Sequence, residues 1–214
     1  MSSAEHIPTI EPSLESELRK LTSTWHQELQ ILLPGLLDDI EIEFDNNYLV
    51  PDFATGGSTW SPNLIKLAYD PGFDAPKAEK IAELRATYFH ENYHVFRGYS
   101  FETTPADQSA IGIAIEEGLA TKFEALYACS SSGYAELEDR DTMLAWLEEV
   151  RALPNGFDYD WQKYKFFDAD TGRKWILYKV GVFIVDEAIK NSSDQTLDSL
   201  KDLTATQILE LARF

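Results

Sequence analysis

The amino-acid sequence predicts an α+β protein that is mainly helical. Apolar residues follow helical patterns in five long segments, whereas strand patterns are confined to the stretch between residues 40 and 69. The chain has 214 residues, of which 44% are hydrophobic and 13% aromatic, so it is long enough and apolar enough for a folded core. We therefore expect a loose lead-in over residues 1–12 and a single domain over residues 13–214.

The predicted elements run in the following order. The helical segments are 13–32, 76–97, 107–129, 139–153, 173–190 and 204–213. Between the first two helices, residues 40–50 alternate apolar and acidic side chains as in a half-buried strand, and residues 63–69 form a second strand. The segment 51–61 contains Gly56-Gly57 and is predicted to be a loop or bulge. Residues 154–172 are aromatic and are predicted to be irregular.

The charge balance is strongly acidic. Lys and Arg number 18 against 37 Asp and Glu, a formal net charge of −19. Such a surface repels phosphate backbones and anionic lipids, so we expect no nucleic-acid and no membrane partner. A single cysteine, Cys129, excludes an internal disulfide and fits a reducing compartment. The sequence shows neither a signal peptide nor an apolar run of about 18 residues, and a cytoplasmic location is expected.

One motif indicates a metal site. It is His90-Glu91-Asn92-Tyr93-His94, within the helix predicted over residues 76–97. Histidines four apart project from one helix face, one turn above the other, so both can bind the same metal ion. The intervening glutamate lies roughly 100° around the helix and can take a proton from water that the metal activates. This is the His-Glu-x-x-His zinc signature. Both histidines lie opposite the apolar arc of the helix, so we predict that they face a cleft.

A third ligand is predicted on the helix over 107–129. Catalytic zinc takes three protein ligands and leaves one position for water, and two His with one Glu is a standard set. Glu117 lies among small residues, on a face that another helix can approach closely. Two neighbours are alternatives: Glu124 shares that face and could support the site from behind, and Glu116 projects about 100° away, toward solvent.

A further donor often stabilises the oxyanion that forms on an acyl substrate. Tyr178, Arg173 and Lys174 are the candidates, and the residue pattern does not choose among them. The whole motif also has a chance explanation, since the pattern arises by accident in about 1% of chains of this length.

Two segments resemble the gluzincin branch of the zincin metallopeptidases. They are Ala86-Thr-Tyr-Phe-His-Glu-Asn-Tyr-His-Val-Phe-Arg-Gly98 and Ile115-Glu-Glu-Gly-Leu-Ala120. Within that branch the chain is most similar to a small family of predicted zinc-dependent proteases of unknown function, in which Glu-Gly-Leu-Ala follows the motif by about twenty residues. The resemblance implies that Glu117 rather than Glu116 is the third ligand. It also implies a zincin-like fold, with a small mixed sheet packed on the active-site helix and an edge strand, within Gly56–Tyr69, that binds extended peptide.

The expected function is therefore a zinc metallopeptidase with one zinc per chain, acting on a peptide or protein substrate. Two alternatives remain: a regulatory or peptide-binding protein on a zincin scaffold, and a zinc hydrolase of non-peptide amides or esters. Glu91 counts against the first alternative, because a structural zinc needs no adjacent base.

Overall fold

The computed structural model describes residues 8–103, 108–129, 133–156, 158–192 and 194–214. The predicted fold class is confirmed in its coarse form: the described residues are α+β and mainly helical, with a three-stranded mixed sheet. The chain divides into two compact units, Met1–Thr103 and Thr104–Phe214. This division does not test the single domain predicted over 13–214, which stays a prediction. Most of the predicted lead-in, residues 1–7, lies outside the described residues.

The first unit contains two long helices and the sheet. The elements are α1 (Pro12–Leu32), β1 (Glu41–Phe44), β2 (Thr55–Ser61), β3 (Leu64–Tyr69) and α2 (Lys77–Arg97). The strand order is β1-β3-β2, and the central strand β3 runs parallel to β1 and antiparallel to β2. Helix α2 packs on β2 and β3, so the small mixed sheet lies against the helix that carries the histidine motif, as expected.

The strand predicted over residues 40–50 is too long. It ends at Phe44, and Asn46–Tyr48 form a single 3₁₀ turn. The Asp45 side chain accepts a hydrogen bond from the Asn47 backbone N–H at 3.0 Å, which caps this turn. A short polar side chain that bonds nearby backbone in this way competes with the strand ladder.

Residues 51–61, predicted to be a loop or bulge, are mostly strand: β2 occupies Thr55–Ser61, and its register with β3 is irregular between Thr59 and Ser61. The two glycines are needed for close approach rather than for a turn. A Cβ on Gly56 would lie 1.9 Å from the carbonyl oxygen of Tyr48, and one on Gly57 would lie 2.8 Å from a side-chain carbon of Glu91. Glycine within a strand often marks such an approach of other groups to the backbone.

Helix α2 has the predicted end. Gly98 adopts a left-handed conformation with φ of 71°, and its N–H bonds the carbonyl of Val95 at 3.0 Å. The next N–H, that of Tyr99, bonds the carbonyl of His94 at 2.9 Å. This glycine-terminated pattern satisfies the last carbonyls of the helix and turns the chain back toward β2.

The second unit is helical. Its elements are α3 (Ala110–Tyr127), α4 (Arg140–Arg151), α5 (Trp161–Lys165), α6 (Ile176–Asn191), α7 (Leu197–Leu200) and α8 (Ala205–Ala212). Helix α6 packs against α3, α4, α5 and α8, and it is buried on nearly all sides, as its apolar sequence predicts. Two helices were missed, α5 and α7, because four or five residues are too few to show a helical period. None of the described helices has the length and apolar character needed to cross a bilayer.

The face of small residues on α3 is in contact with α6. A Cβ on Gly118 would lie 2.1 Å from a backbone carbon of Gly181, and one on Gly181 would lie 1.7 Å from the carbonyl oxygen of Ala114. The prediction that this face admits a closely packed helix is confirmed, and α6 is that helix. The contact fixes α3, and with it Glu117, against the centre of the second unit.

We expect Gly181→Ala to destabilise the protein by about 1–3 kcal/mol or more, because the added methyl group meets backbone atoms that cannot rotate away. Gly133→Ala is the control, since a Cβ there has nothing within 4 Å. Denaturant unfolding of the three proteins measures the difference. Equal midpoints for the Gly181 and Gly133 variants would contradict the close α3–α6 contact.

Candidate metal centre

Helix α2 brings His90 and His94 together, one turn apart on one face. Their Nε2 atoms lie 3.1 Å apart, and the ring planes are inclined at 78°. Two imidazoles bound to one tetrahedral zinc, with bonds of about 2.0–2.1 Å, place their ligand nitrogens about 3.3 Å apart. The histidine pair therefore has the spacing that a shared ion requires.

Both histidines are buried, with 6% and 3% of their surface exposed. The helical wheel places them off the apolar arc correctly, but that side of α2 is covered as well. Every residue from Tyr88 to Val95 is buried. Polar groups buried in this way need partners for their hydrogen-bonding atoms, or a metal.

Glu91 lies on the side of α2 that packs on β2. The hydroxyl of Thr59 is 2.8 Å from the Glu91 carbonyl oxygen and 2.9 Å from its carboxylate Oε2, so it can donate its proton to either. The other carboxylate oxygen, Oε1, lies over Gly57, where a Cβ would come within 3.0 Å. Gly57 and Thr59 thus form the contact surface for Glu91 on β2, called the seat below. The absence of a side chain at Gly57 leaves space for the carboxylate, and the Thr59 hydroxyl bonds one of its oxygens.

The Thr59 contact could not be foreseen, because the β2 segment was predicted to be a loop or bulge rather than a regular strand. A glycine and a threonine two apart do project to the same face of a strand. The spacing of Gly57 and Thr59 therefore becomes informative only after residues 55–61 are assigned as a strand.

Glu117 lies near the middle of α3 and is 2% exposed. The Nζ of Lys165, on the short helix α5, donates to its Oε1 at 2.9 Å. The same ammonium group lies 5.7 Å from the centre of the Tyr178 ring. Lys165 was not singled out from the sequence, because it is 48 residues from Glu117 and in a segment predicted to be irregular.

The structure brings the three predicted ligands together. One ligand atom from each of His90, His94 and Glu117 lies within 4.8 Å of the other two, and all three residues are buried. Two imidazole nitrogens and one carboxylate oxygen are a donor set that zinc accepts.

The two alternative acids behave differently. Glu116 was predicted to face solvent, and this is wrong: it is buried, with 9% of its surface exposed. The reason is that α3 packs on α4, α6 and α8, so its sides are covered beyond the apolar stripe. Glu124 is fully buried and accepts a hydrogen bond from the hydroxyl of Tyr134 at 2.5 Å.

Of the three candidate oxyanion donors, Arg173 is held in ion pairs. Its guanidinium bonds the carboxylates of Glu149, at 2.5 and 2.9 Å, and of Asp168, at 3.0 Å. The Arg173 hydrogen bond is the main cause that lowers the pKa of Glu149. A bidentate pair of this kind fixes the chain before α6 to α4.

The other two candidates differ in their position. Lys174 is exposed, with its ammonium 5.8 Å from the centre of the Phe167 ring. Tyr178 lies in the first turn of α6 and is half-buried against the rings of Tyr134 and Trp175. Because Lys165 contacts both Tyr178 and Glu117, the tyrosine is the candidate that shares a neighbour with a predicted ligand.

A scan against protein-family models finds no match, and searches of the curated proteins and of the solved structures find no similar protein. The resemblance to gluzincins therefore rests on the residues of the two segments around His90 and Glu117, and it stays a prediction.

Proposed function

We propose that the protein is a zinc-dependent metallopeptidase in which His90, His94 and Glu117 hold one zinc ion. The observation that carries the proposal is the cluster of their three ligand atoms within 4.8 Å, on a motif whose next residue is Glu91. Its support is chemical: the donor set, the spacing of the two imidazole nitrogens and the adjacent carboxylate each meet a separate requirement of catalytic zinc.

Zinc bound there would supply Lewis acidity, which would polarise a carbonyl group and lower the pKa of water to about 7. Glu91 is the general base. Thr59 holds its Oε2, and Oε1 has no hydrogen bond to any residue in the described ranges, so Oε1 is the oxygen that accepts the proton of the attacking water. The same carboxyl group then protonates the leaving amine.

Lys165 and Tyr178 have separate proposed roles, one toward the ligand Glu117 and the other toward the substrate. A carboxylate that binds zinc is normally hydrogen-bonded by a neighbour, which fixes its orientation, and Lys165 fills that role through Oε1. Tyr178 is the proposed donor to the substrate oxyanion. A peptide substrate, and the absence of nucleic-acid and membrane partners, remain proposals of the same kind.

Digestion of a broad peptide library, read by mass spectrometry, tests the proposal. We expect cleavage that a zinc chelator abolishes and that added zinc restores. Zinc-dependent hydrolysis of simple esters or amides without any peptide cleavage would instead favour a hydrolase of non-peptide substrates. Zinc binding without hydrolysis of any acyl compound would favour a peptide-binding protein and contradict the proposal.

A further inference from the structure

We propose that the outer edge of β2 binds an extended peptide through one residue only, Gly57, and that the protein therefore acts on short peptides rather than on long extended segments. Residues 99–103, which follow α2 and are called the strap below, close the edge on one side of Gly57. The cleavage step rests on the proposed function, whereas the binding step does not.

The backbone of β2 shows which groups face outward. In an antiparallel pair, alternate residues direct both their N–H and C=O away from the partner strand. The carbonyl of Thr55 bonds Val50 and that of Thr59 bonds Phe101, so both point away from β3. Gly57 lies between them with the same orientation.

Thr55 closes one end of this edge. Its carbonyl accepts the N–H of Val50 at 3.2 Å, and its own N–H donates to Oε1 of Glu83 at 3.2 Å. The Thr55 hydroxyl bonds the same Glu83 oxygen at 3.0 Å. Both backbone groups of Thr55 are therefore occupied by the protein itself.

The strap closes the other end. The N–H of Phe101 bonds the Thr59 carbonyl at 2.9 Å, and that of Glu102 bonds the Trp60 carbonyl at 3.0 Å. Two consecutive carbonyls can face the strap because the β2–β3 register is irregular between Thr59 and Ser61. The Phe101 ring stacks on that of Trp60, with centres 4.8 Å apart and planes inclined by 17°.

The strap has its own internal support. The N–H of Thr103 bonds the Ser100 carbonyl at 3.2 Å, and the two hydroxyls of these residues lie 2.7 Å apart. These bonds close a tight turn next to the edge. The strap is thus a folded part of the first unit.

Gly57 is the residue of this edge whose backbone groups remain available to a ligand. Its N–H and C=O make no hydrogen bond to the residues that the structure describes, and it is half-exposed. It has no side chain to keep a ligand backbone away, and the proton-accepting oxygen of Glu91 lies over it. One ligand residue can exchange two hydrogen bonds with Gly57. Both backbone groups of Thr55 and the carbonyl of Thr59 are already bonded within the protein, so neither threonine can exchange a second pair of bonds with the ligand.

The binding step is tested in the non-cleaving Glu91→Gln protein with capped peptides of three and ten residues. Calorimetry should give dissociation constants within threefold of each other. By amide hydrogen exchange, the Phe101 and Glu102 amides should be protected before peptide is added. The Gly57 amide should become protected only when a peptide is present, and the three-residue peptide should suffice.

The strap is tested by two double variants in the same background. Phe101→Pro/Glu102→Pro removes both N–H donors, whereas Phe101→Ala/Glu102→Ala truncates the same two exposed side chains and keeps the donors. We expect the ten-residue peptide to bind the proline variant at least tenfold more tightly than the alanine variant, with three-residue binding unchanged.

Three results would overturn the proposal: an at least tenfold preference for the longer peptide before the strap is altered, equal binding of the longer peptide by the two double variants, or a Gly57 amide that the three-residue peptide leaves unprotected. The exchange measurement decides if the proline variant does not fold. The two proposals can fail separately. If peptide protects the Gly57 amide but the parent protein, with Glu91 intact, cleaves no peptide, the proposed function is refuted and the binding site is supported. If the parent protein cleaves peptides but peptide does not protect the Gly57 amide, the binding site is refuted and the proposed function is supported.

Discussion

Glu91→Gln should lower kcat/KM for peptide cleavage by about 10²–10⁴-fold, the usual contribution of a general acid–base group. The amide keeps the shape of the side chain and can still accept a bond from Thr59, so the seat on β2 is preserved. It cannot accept the proton of water, which is the property under test. Zinc content should stay at one ion per chain.

Glu79→Gln is the matched control for this prediction. Glu79 is in the first turn of the same helix and exposed, so the same chemical change there should leave kcat/KM within about twofold. Steady-state kinetics on one defined peptide, together with metal analysis, gives the comparison. Turnover by the Glu91 variant at the level of the control would sink the proposed mechanism.

Glu117→Gln is expected to weaken zinc binding by more than about 10–100-fold, because that is the loss already seen when only an outer hydrogen-bonding partner of a ligand is removed. An amide is a much poorer zinc ligand than a carboxylate. Lys165, which loses its anionic partner, is 30% exposed at its side chain and can turn toward water. Competition with a chromophoric chelator measures the affinity.

The neighbouring acids of α3 provide the controls for Glu117. Glu116→Gln and Glu124→Gln make the same change in buried residues of the same helix. Neither belongs to the cluster formed by the predicted ligands, so both variants should bind zinc as the parent does. If Glu116→Gln lost as much affinity as Glu117→Gln, the choice of third ligand would be wrong.

The parts of the site that could be predicted depend on residues that are close together in the sequence. The His90–His94 spacing, the helix around it and its end at Gly98 depend on residues within a few turns of one another. Glu117 could be chosen over Glu116 only through the resemblance to gluzincins. Among the described residues, Glu117 belongs to the group of potential metal ligands with His90 and His94, and Glu116 does not. The choice of Glu117 as the third ligand stays a prediction.

The parts that were missed depend on contacts distant in sequence. Gly56 and Gly57 have low strand propensity, and β2 forms because it pairs with β3. Glycines are needed there because the Tyr48 carbonyl and Glu91 occupy the space that side chains would fill. The burial of Glu116 follows from the packing of α3 among three other helices. Lys165 reaches Glu117 from a helix of five residues, which carries no periodic signal.

The central claim is that His90, His94 and Glu117 bind one zinc ion, and metal analysis of the purified protein tests it most directly. After saturation with zinc and removal of the excess, we expect one zinc per chain in the parent protein and none in His90→Ala/His94→Ala. His26→Ala, which changes a histidine on α1 outside the cluster, should retain the ion. A parent protein without stoichiometric zinc, or a double variant that still holds it, would contradict the account.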